Sequence, residues 1–446
     1  PDSQNFIEYE NNNYKYFFGH TRLSILDTSS SGNQPMYSNS KRYLIIFNGE
    51  IYNHLEIRNL INKKIKIFWK SNSDTETLIN FIENFDIDYV LKNISGMFAF
   101  VVYDFKDDSF RSVNRTFRKI DDFKEATKNF DSALQINPND PKILYNKSIC
   151  LLESGNFEEG LKLYKWRQNG KYSKNILFDL KNIKNKKILV TCDQGLGDTI
   201  LLSRFVSLLP DYGANVFFQI KASLKELFKN LNDKISIINE EDIIDHYDYH
   251  CSLGDLFEIF NINKLDIPMK NEYIKVDKKW IDKWKDKLDH TKVNIGISWQ
   301  GKPGDTLDEG RSFNLKYFEN ISHLNNVQLV SLQKNEGLEQ ISDFKKKNNI
   351  VNFDNILDVE TKFVDTAGLM KNLDLVISSD TSIVHLAGAI GIKTWLLVQK
   401  FPFWYWRDNN EKSIWYDSVK VYKQEENHNW QKLFTKIEDK VKNYKK

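Results

Sequence analysis

From residue 183 to the end of the chain, short apolar runs alternate with amphipathic segments. The apolar runs predict strands at residues 187–191, 215–220, 294–299, 328–332, 373–378 and 393–398, and helical spacing is predicted at 199–209 and 383–390. This alternation is typical of α/β folds in which helices cover both faces of a parallel sheet. Because the segment is long for one such unit, the charged stretch at 277–292 predicts a boundary between two units that share a cleft.

The first 112 residues have a different pattern, which predicts a β-rich α+β unit. An apolar run at 43–47 is followed by the turn-forming pair Asn48-Gly49, a hairpin-like signal, and a second buried strand is predicted at 97–103. Between them, residues 74–85 have apolar side chains at helical spacing, with Ser73 or Asp74 as the N-cap.

Residues 113–182 are predicted to be helical and contain a repeat. One copy of the pattern comprises Ala126, Phe130, Ala133 and Pro138, and a second copy comprises Gly160, Tyr164 and Arg167. The spacing of about 34 residues is that of a tetratricopeptide repeat, and a plain helical hairpin is the alternative. Because at least three repeats are normally needed for independent stability, we expect this pair to pack on a neighbouring domain.

Composition narrows the function classes. The 446 residues carry 63 basic and 61 acidic side chains, and this net charge of +2 argues against a general nucleic-acid binder. No apolar run reaches the ~18 residues of a membrane span. The three cysteines form neither a disulfide framework nor a CxxC pair, and the eight histidines form no HExxH motif. We therefore expect a cytoplasmic protein without a metal site. The start, PDSQNFIEYE, has no signal-peptide character, and the first residue, Pro1, suggests a fragment or a processed product.

The first candidate for chemistry is QGLGDT at residues 194–199, between a predicted strand and a predicted helix. Gly195 and Gly197 allow close approach to a ligand, and the helix N-terminus that follows suits an anion. Asp198 is placed to take a proton from an attacking hydroxyl. The alternative is that Asp198 only caps the helix.

The second candidate is SSDTSIVH at 378–385, again between a strand and a helix. Thr381 and Ser382 can bind phosphate oxygens, His385 lies one turn further, and Asp380 can hold a sugar hydroxyl. The alternative is a well-capped helix with a half-buried histidine.

A third group consists of lysine and arginine residues that follow other predicted strands. The stretch SWQGKPG at 298–304 carries Lys302, Arg311 follows it, and Lys334 comes after the next strand. Such bases can neutralise a leaving diphosphate, although singly they are more often surface residues. Ligands of open α/β sheets bind at the carboxyl ends of strands, where all three candidates are predicted.

Four stretches carry a resemblance: FEEGLKLYKWR at 157–167, QGLGDT at 194–199, SLQK at 331–334 and DLVISSDTSIVHLAG at 374–388. WLLV at 395–398 and WYWR at 404–407 extend it. Together they make residues 150–425 similar to tetratricopeptide-linked glycosyltransferases related to the lipopolysaccharide heptosyltransferases (glycosyltransferase family 9), and more distantly to O-linked N-acetylglucosamine transferase.

That resemblance implies a GT-B fold, with Rossmann-like domains at 183–290 and 291–446 and the nucleotide sugar in the cleft, bound mostly to the second domain. It further implies metal-independent transfer with inversion. Asp198 matches the proposed base, and Asp380, Thr381, Ser382 and His385 match the donor-diphosphate motif. The family often has Gly or Ala where this chain has Ser382.

A second resemblance covers residues 17–104. The matching stretches are GHTRLSILD at 19–27, NQPM at 33–36, FNGEIYN at 47–53, SDTE at 73–76 and SGMFAF at 95–100. They are similar to the glutamine amidotransferase domain of asparagine synthetase, an N-terminal-nucleophile (Ntn) domain. By resemblance, Arg22 and Asp74 bind the glutamine carboxylate and amine, Asn48 and Gly49 form the oxyanion hole, and Glu50 belongs to the same remnant site.

The departure from that family is the nucleophile. The family uses a cysteine at the mature N-terminus, whereas the chain starts at Pro1 and its first cysteine is Cys150. The sequence then passes into the repeat helices without the family's following strand and arginine-rich segment. We therefore expect a truncated domain at 1–112 without glutaminase activity.

Two hypotheses from different classes follow. The first is a glycosyltransferase that takes a nucleotide sugar as donor substrate, uses no cofactor, and binds a glycan or protein acceptor, with the repeats as a candidate binding element. The second is a non-enzymatic scaffold of repeats and a decayed transferase. A live amidotransferase or asparagine synthetase is a third, disfavoured hypothesis.

Overall fold

A computed structural model of the chain describes residues 3–10, 15–22, 27, 29–94, 96–115, 123–168, 179–262, 266–302, 310–359, 363–408, 411–426 and 429–445. Of the stretches quoted above, residues 1–2, residues 23–26, Ser95, Pro303 and Gly304 lie outside these ranges. The chain divides into two compact units, Pro1–Ile120 and Asp121–Lys446. The finer division into four domains stays a prediction.

In its described residues, the first unit contains antiparallel strands and three α-helices. Its elements are β1 (Ser3–Glu10), β2 (Lys15–Arg22), β3 (Met36–Tyr37), β4 (Tyr43–Ile51), α1 (His54–Asn62), α2 (Asp74–Asn84), α3 (Ile87–Asn93), β5 (Gly96–Asp104) and β6 (Ser109–Arg115). Strands β3-β4-β5-β6 form one sheet, and β1 and β2 form a separate ribbon. Apolar side chains of β4 and β5 pack on α1 and α2. Ser73 caps α2, as the sequence predicts.

The hairpin predicted at Asn48-Gly49 is wrong. Strand β4 runs through both residues to Ile51, and they pair with Ala99 and Phe98 of β5. Gly49 has φ 139°, a backbone conformation that favours glycine. The pairing with β5 thus keeps an intrinsically turn-forming pair in extended structure.

The second unit begins with the helices that carry the repeat pattern: α4 (Phe123–Ile136), α5 (Pro141–Glu153) and α6 (Phe157–Leu163). Asp140 caps α5, which has Pro141 at its first turn. Gly160 lets α5 and α6 pack closely, because a Cβ there would lie 2.7 Å from the Leu152 Cγ atom. As expected, the helices pack on the rest of the unit, because Leu152 and Phe157 belong to the same hydrophobic core as the sheet that follows. Ala133 lies in α4, and its side chain is outside those described.

Two parallel sheets follow, which confirms the prediction of a pair of Rossmann-type units. The first contains β7 (Lys187–Thr191), β8 (Asn215–Ile220), β9 (Ile235–Asn239) and β10 (Tyr249–Ser252), in the order β10-β7-β8-β9. Its helices are α7 (Leu196–Val206), α8 (Lys225–Phe228) and α9 (Leu256–Ile259). Helix α10 (Lys278–Lys285) occupies the charged stretch between the two sheets.

The second sheet has the order β13-β12-β11-β14-β15-β16. Its strands are β11 (Val293–Ser298), β12 (Val327–Ser331), β13 (Ile350–Val351), β14 (Leu375–Ser378), β15 (Thr394–Val398) and β16 (Val419–Lys423). Its helices are α11 (Glu319–Ser322), α12 (Glu339–Lys345), α13 (Val364–Met370), α14 (Ser382–Ala389) and α15 (Trp430–Lys442). Among the described helices, none has both the length and the apolar character needed to cross a bilayer.

Each of the two parallel sheets has one position at which the order of its strands reverses. In the first sheet the chain moves outward from β7 to β8 and β9, and then returns to place β10 on the other side of β7. In the second sheet it moves from β11 to β12 and β13, and then returns to place β14 beside β11. Such reversals open a crevice at the carboxyl ends of the strands, where open α/β sheets bind ligands. The loops after β7, β11 and β14 lie at these reversals.

Candidate functional site

The loop after β7 presents Asp198 near the start of α7. Gly195 is the N-cap, and its N–H donates a hydrogen bond to the Asp198 Oδ2 atom at 3.2 Å. The other carboxylate oxygen, Oδ1, accepts a hydrogen bond from the Tyr405 hydroxyl at 3.0 Å. Asp198 therefore does cap its helix, but with one oxygen only, and its second oxygen faces a residue 207 positions away.

The surroundings of Asp198 tune it as a proton acceptor. Burial raises its pKa to about 6, the nearby Asp380 carboxylate contributes to the rise, and the Tyr405 hydrogen bond opposes it. A carboxylate with a pKa of about 6 is still ionised at neutral pH and accepts a proton more readily than an ordinary aspartate.

The loop after β14 supplies a second carboxylate. Asp380 Oδ1 accepts a hydrogen bond from the Trp406 indole Nε1–H at 2.9 Å. Burial raises the pKa of Asp380, while the Trp406 hydrogen bond and the charge of Arg311 oppose the rise. Thr381 caps α14, its hydroxyl accepting from the Ile383 N–H at 3.4 Å.

His385, one turn into α14, is buried and neutral. Its Nδ1 lies 3.0 Å from the Tyr416 hydroxyl. Burial and the positive charge of Arg204 lower the His385 pKa to about 3. Any role of His385 toward a phosphate is therefore that of a hydrogen-bonding group and not of a cation.

Gly197 shows that the two loops meet. A Cβ at Gly197 would lie 2.9 Å from the His385 Cδ2 atom, 3.4 Å from the Ser382 Cα atom and 3.7 Å from the His385 Nε2 atom. The start of α7 and the start of α14 thus face each other without room for a side chain at Gly197. The structure brings together Gly195, Gly197, Asp198, Asp380, Ser382 and His385.

The three basic residues predicted to bind the diphosphate have different surroundings. Arg311 packs on Gly301, where a Cβ would lie 2.6 Å from the Arg311 Nη2 atom, and its charge acts on Asp380. Lys302 is exposed and directly precedes residues 303–309, which are not described. The Lys334 Nζ atom donates to the Leu357 carbonyl at 2.7 Å and lies 3.5 Å from Asp354. A diphosphate at Lys334 would have to replace these partners.

Tyr405 and Trp406 are functional candidates that the sequence reasoning missed. Both lie in the 3-10 turn Trp404–Trp406, called here the aromatic turn. Consecutive side chains of this turn hold the two carboxylates, Asp198 and Asp380. The signals in the sequence were the density of aromatic residues at 404–406 and the place of WYWR at 404–407 in the resemblance.

The predicted glutamine-site residues lie in the first unit. Asp74 is buried at the start of α2, and its Oδ2 accepts from the Ile51 N–H at 2.8 Å, directly after Asn48, Gly49 and Glu50. Burial raises the pKa of Asp74, and its backbone hydrogen bonds oppose the rise.

Arg22 is buried as well, and it contacts the loop that follows it. Its guanidinium donates to the Ser29 carbonyl at 2.8 Å, to Asn33 Oδ1 at 3.1 Å and to the Asp27 carbonyl. The Asp27 carboxylate accepts from the Asn72 N–H at 2.7 Å, two residues before Asp74. Arg22 is thus linked to the start of α2 through Asp27.

Comparisons with known proteins agree with this organisation. Residues 1–115 match the glutamine amidotransferase domain family and residues 121–165 match the tetratricopeptide repeat family, which confirms both of these assignments. Protein FlbA of Caulobacter vibrioides is 23% identical over 369 residues, 74% of this chain and 61% of that protein. A putative glutamine-hydrolysing asparagine synthetase of Methanocaldococcus jannaschii is 33% identical over 120 residues, 24% of this chain and 22% of that protein. The chain thus spans less than two thirds of the length of either relative.

Among solved structures, this chain is similar to a glycosyl transferase family 9 protein from Veillonella parvula. The aligned part comprises 59% of this chain and 91% of that protein. The TM-score is 0.41 and the sequence identity is 13%.

Proposed function

We propose that residues 183–446 transfer a sugar from a nucleotide-sugar donor to an acceptor hydroxyl. The observation that carries this proposal is the meeting of the Asp198 loop and the Asp380–His385 loop at the strand-order reversals of two parallel sheets. A base tuned by burial then faces the start of a helix suited to a diphosphate.

In this mechanism Asp198 acts as the general base. It takes the proton of the acceptor hydroxyl, whose oxygen attacks the anomeric carbon of the sugar. The bond from that carbon to the diphosphate oxygen breaks, and the nucleoside diphosphate leaves with the bonding electrons. Attack opposite the leaving group inverts the anomeric configuration.

The donor diphosphate binds at the start of α14. Thr381 and Ser382 offer hydroxyl groups and backbone N–H groups there, and the helix dipole favours an anion. The His385 Nε2 atom lies beside Gly197, on the side of the ring opposite its Tyr416 partner. Lys302, Arg311 and Lys334 neutralise charge on the leaving group, so we propose that transfer proceeds in the presence of EDTA.

The first unit and the repeats have subordinate roles in this proposal. We propose that the polypeptide of residues 1–446 does not release ammonia from glutamine, because its first cysteine is Cys150, in α5, and the family's nucleophile is a cysteine. Ammonia release by the purified chain would refute this. The repeat helices are proposed to take part in binding a glycan or protein acceptor, and the location is proposed to be cytoplasmic.

Donor binding is the direct test. A thermal-shift screen against UDP, ADP, GDP, CDP and TDP and their sugars should identify a saturable ligand, and calorimetry then gives its Kd. His385→Ala and Lys302→Ala should each weaken binding about 10-fold, since each removes a hydrogen bond or charge contact to the diphosphate. Lys432→Ala, which removes an exposed lysine of α15 paired with Glu425, is the matched control and should leave Kd unchanged. If no nucleotide binds at millimolar concentration, the scaffold hypothesis replaces the transferase.

A further inference from the structure

The aromatic turn is packed between the repeat helices and the candidate site. On the repeat side, the centroid of the Trp404 ring lies 5.6 Å from that of Phe157 and 5.9 Å from that of Tyr164. The next residue after the turn, Arg407, pairs with Glu153 at the end of α5, with 3.4 Å between Nη1 and Oε2. The exposed fractions of these two side chains are 14% and 4%, so neither is free to move in solvent.

The same repeat segment also holds the loop that precedes Asp198. Arg167, in the turn after α6, donates from Nε to Asp193 Oδ2 at 2.5 Å and from Nη1 to Asp255 Oδ1 at 3.2 Å. The Gln194 amide donates to the Tyr164 hydroxyl at 3.3 Å. Asp193 and Gln194 directly precede the Gly195 N-cap, so the repeat segment fixes the loop where it enters α7.

We propose that the repeat helices are a positioning element of the transferase site, acting through Glu153 and Arg407 on the aromatic turn and through that turn on the carboxylates of Asp198 and Asp380. This inference rests on the proposed function. Tyr405 and Trp406 are positioning residues because each donates a hydrogen bond to one carboxylate. The repeats and the transferase then form one functional unit.

The Tyr405 hydroxyl gives the proposal a measurable signature. Among the described residues, the charged and titratable groups that act on Asp198 are the Tyr405 hydroxyl, the Tyr164 hydroxyl and the carboxylates of Asp380 and Asp193. The Tyr405 hydrogen bond stabilises the ionised form of Asp198, whereas the two carboxylates disfavour it. Removing the hydroxyl should therefore make Asp198 protonate at higher pH.

The experiment is a pH profile of kcat/KM for the full chain and its variants, with the donor found in the screen. In Tyr405→Phe the acid limb should move upward by about one pH unit, because a hydrogen bond to a charged group is lost. At pH 9 the activity should approach that of wild type. Glu153→Gln, which weakens the hold on Arg407, should lower kcat and move the acid limb in the same direction by a smaller amount. The control Glu158→Gln breaks an exposed pair with Lys162 on the same repeat and should change neither.

Two further outcomes separate this inference from the proposed function. If Tyr405→Phe and Glu153→Gln lower the activity equally at every pH, their roles are merely structural and the inference is wrong. If wild-type protein transfers no sugar, the proposed function fails, and the pH dependence of unfolding becomes the readout. The pH at which protonation of Asp198 changes the free energy of unfolding should then still be higher in Tyr405→Phe than in wild type. An unchanged pH dependence would overturn the positioning role independently of catalysis.

Discussion

Replacing Asp198 by asparagine should remove sugar transfer and yet stabilise the second unit at neutral pH. The substitution keeps the size of the side chain and removes its charge. The asparagine carbonyl oxygen can still accept the hydrogen bond from the Tyr405 hydroxyl. The amide group would then face the Gly195 N–H, so that one capping hydrogen bond is lost.

The magnitude follows from the pKa of Asp198. A rise from 3.8 to about 6 corresponds to about 3 kcal/mol, at 1.36 kcal/mol for each pKa unit. Because the folded-state pKa lies above the unfolded value, the native state binds more protons than the unfolded state between these two pKa values. The contribution of protonated Asp198 to the free energy of unfolding is therefore full below the unfolded pKa and is lost as the pH rises through about 6. Asparagine avoids this cost but forfeits about 1 kcal/mol of capping. The variant should therefore be more stable than wild type by about 2 kcal/mol at pH 8.

Urea unfolding at pH 4 and at pH 8 measures this difference. All ten tryptophans except Trp69 lie in the second unit, so tryptophan fluorescence reports mainly on that unit. At pH 4 wild-type Asp198 is largely protonated in the native state, and the variant should be slightly the less stable of the two. Asp233→Asn, at an exposed position in the same sheet region, is the control and should show no such crossover.

The crossover is the result that decides. If Asp198→Asn changes the free energy of unfolding by the same amount at both pH values, burial does not penalise the ionised carboxylate. The argument that Asp198 is tuned as a base then loses its physical basis. Loss of transfer without a crossover would leave only a binding or capping role for Asp198.

Two further substitutions test the architecture around the site. Gly197→Ala should weaken nucleoside diphosphate binding about 10-fold in calorimetry, because its Cβ would lie 2.9 Å from the His385 Cδ2 atom, whereas Gly19→Ala, with open space around it, should be neutral. Arg167→Gln should lower the free energy of urea unfolding by about 3–5 kcal/mol, because it removes the cation that forms ion pairs with two buried carboxylates, whereas Lys165→Gln, in a surface pair, should cost less than about 1 kcal/mol. Equal effects within either pair of variants would contradict the reasoning.

Six of the ten described strands of the two parallel sheets were predicted closely from the sequence, whereas β9, β10, β13 and β16 were not predicted. The predicted strand at 215–220 coincides with β8, and the one at 294–299 is displaced by one residue from β11. All six residues of β11 are buried, and a strand covered on both faces is rich in apolar residues, although β11 also contains Asn294 and Ser298. The helices after β7 and β14 were predicted to start one to three residues late, because polar and glycine-rich first turns carry no apolar periodicity.

The turn at Asn48-Gly49 shows the limit of local propensity. Both residues favour turns, yet each pairs with a residue of β5 about 50 positions further along the chain. That pairing extends over nine residues of β4 and outweighs a preference that involves two. The conformation of Asn48 and Gly49 depends on a strand that is distant in sequence, so it cannot be predicted from these two residues alone.

The site divides in the same way. The proximity of Asp198, Asp380 and His385 could be predicted because each lies in the loop or the first helical turn after a strand, where the fold class places ligands. Tyr405 and Trp406 could not, because their partners are 207 and 26 residues away and no periodicity links them. Lys334 was assigned to the diphosphate by its place after a strand, yet its ammonium already contacts Leu357 and Asp354.

Capping and catalysis at Asp198 were set against each other as alternatives, and the geometry makes them compatible. The Oδ2 atom is occupied by the Gly195 N–H, which fixes the carboxylate relative to the start of α7. That contact leaves Oδ1 directed toward the aromatic turn, where the Tyr405 hydroxyl meets it. A base must be held still to accept a proton along a defined direction, and a helix cap holds a carboxylate in this way. The cap is therefore a condition for the proposed base and not evidence against it.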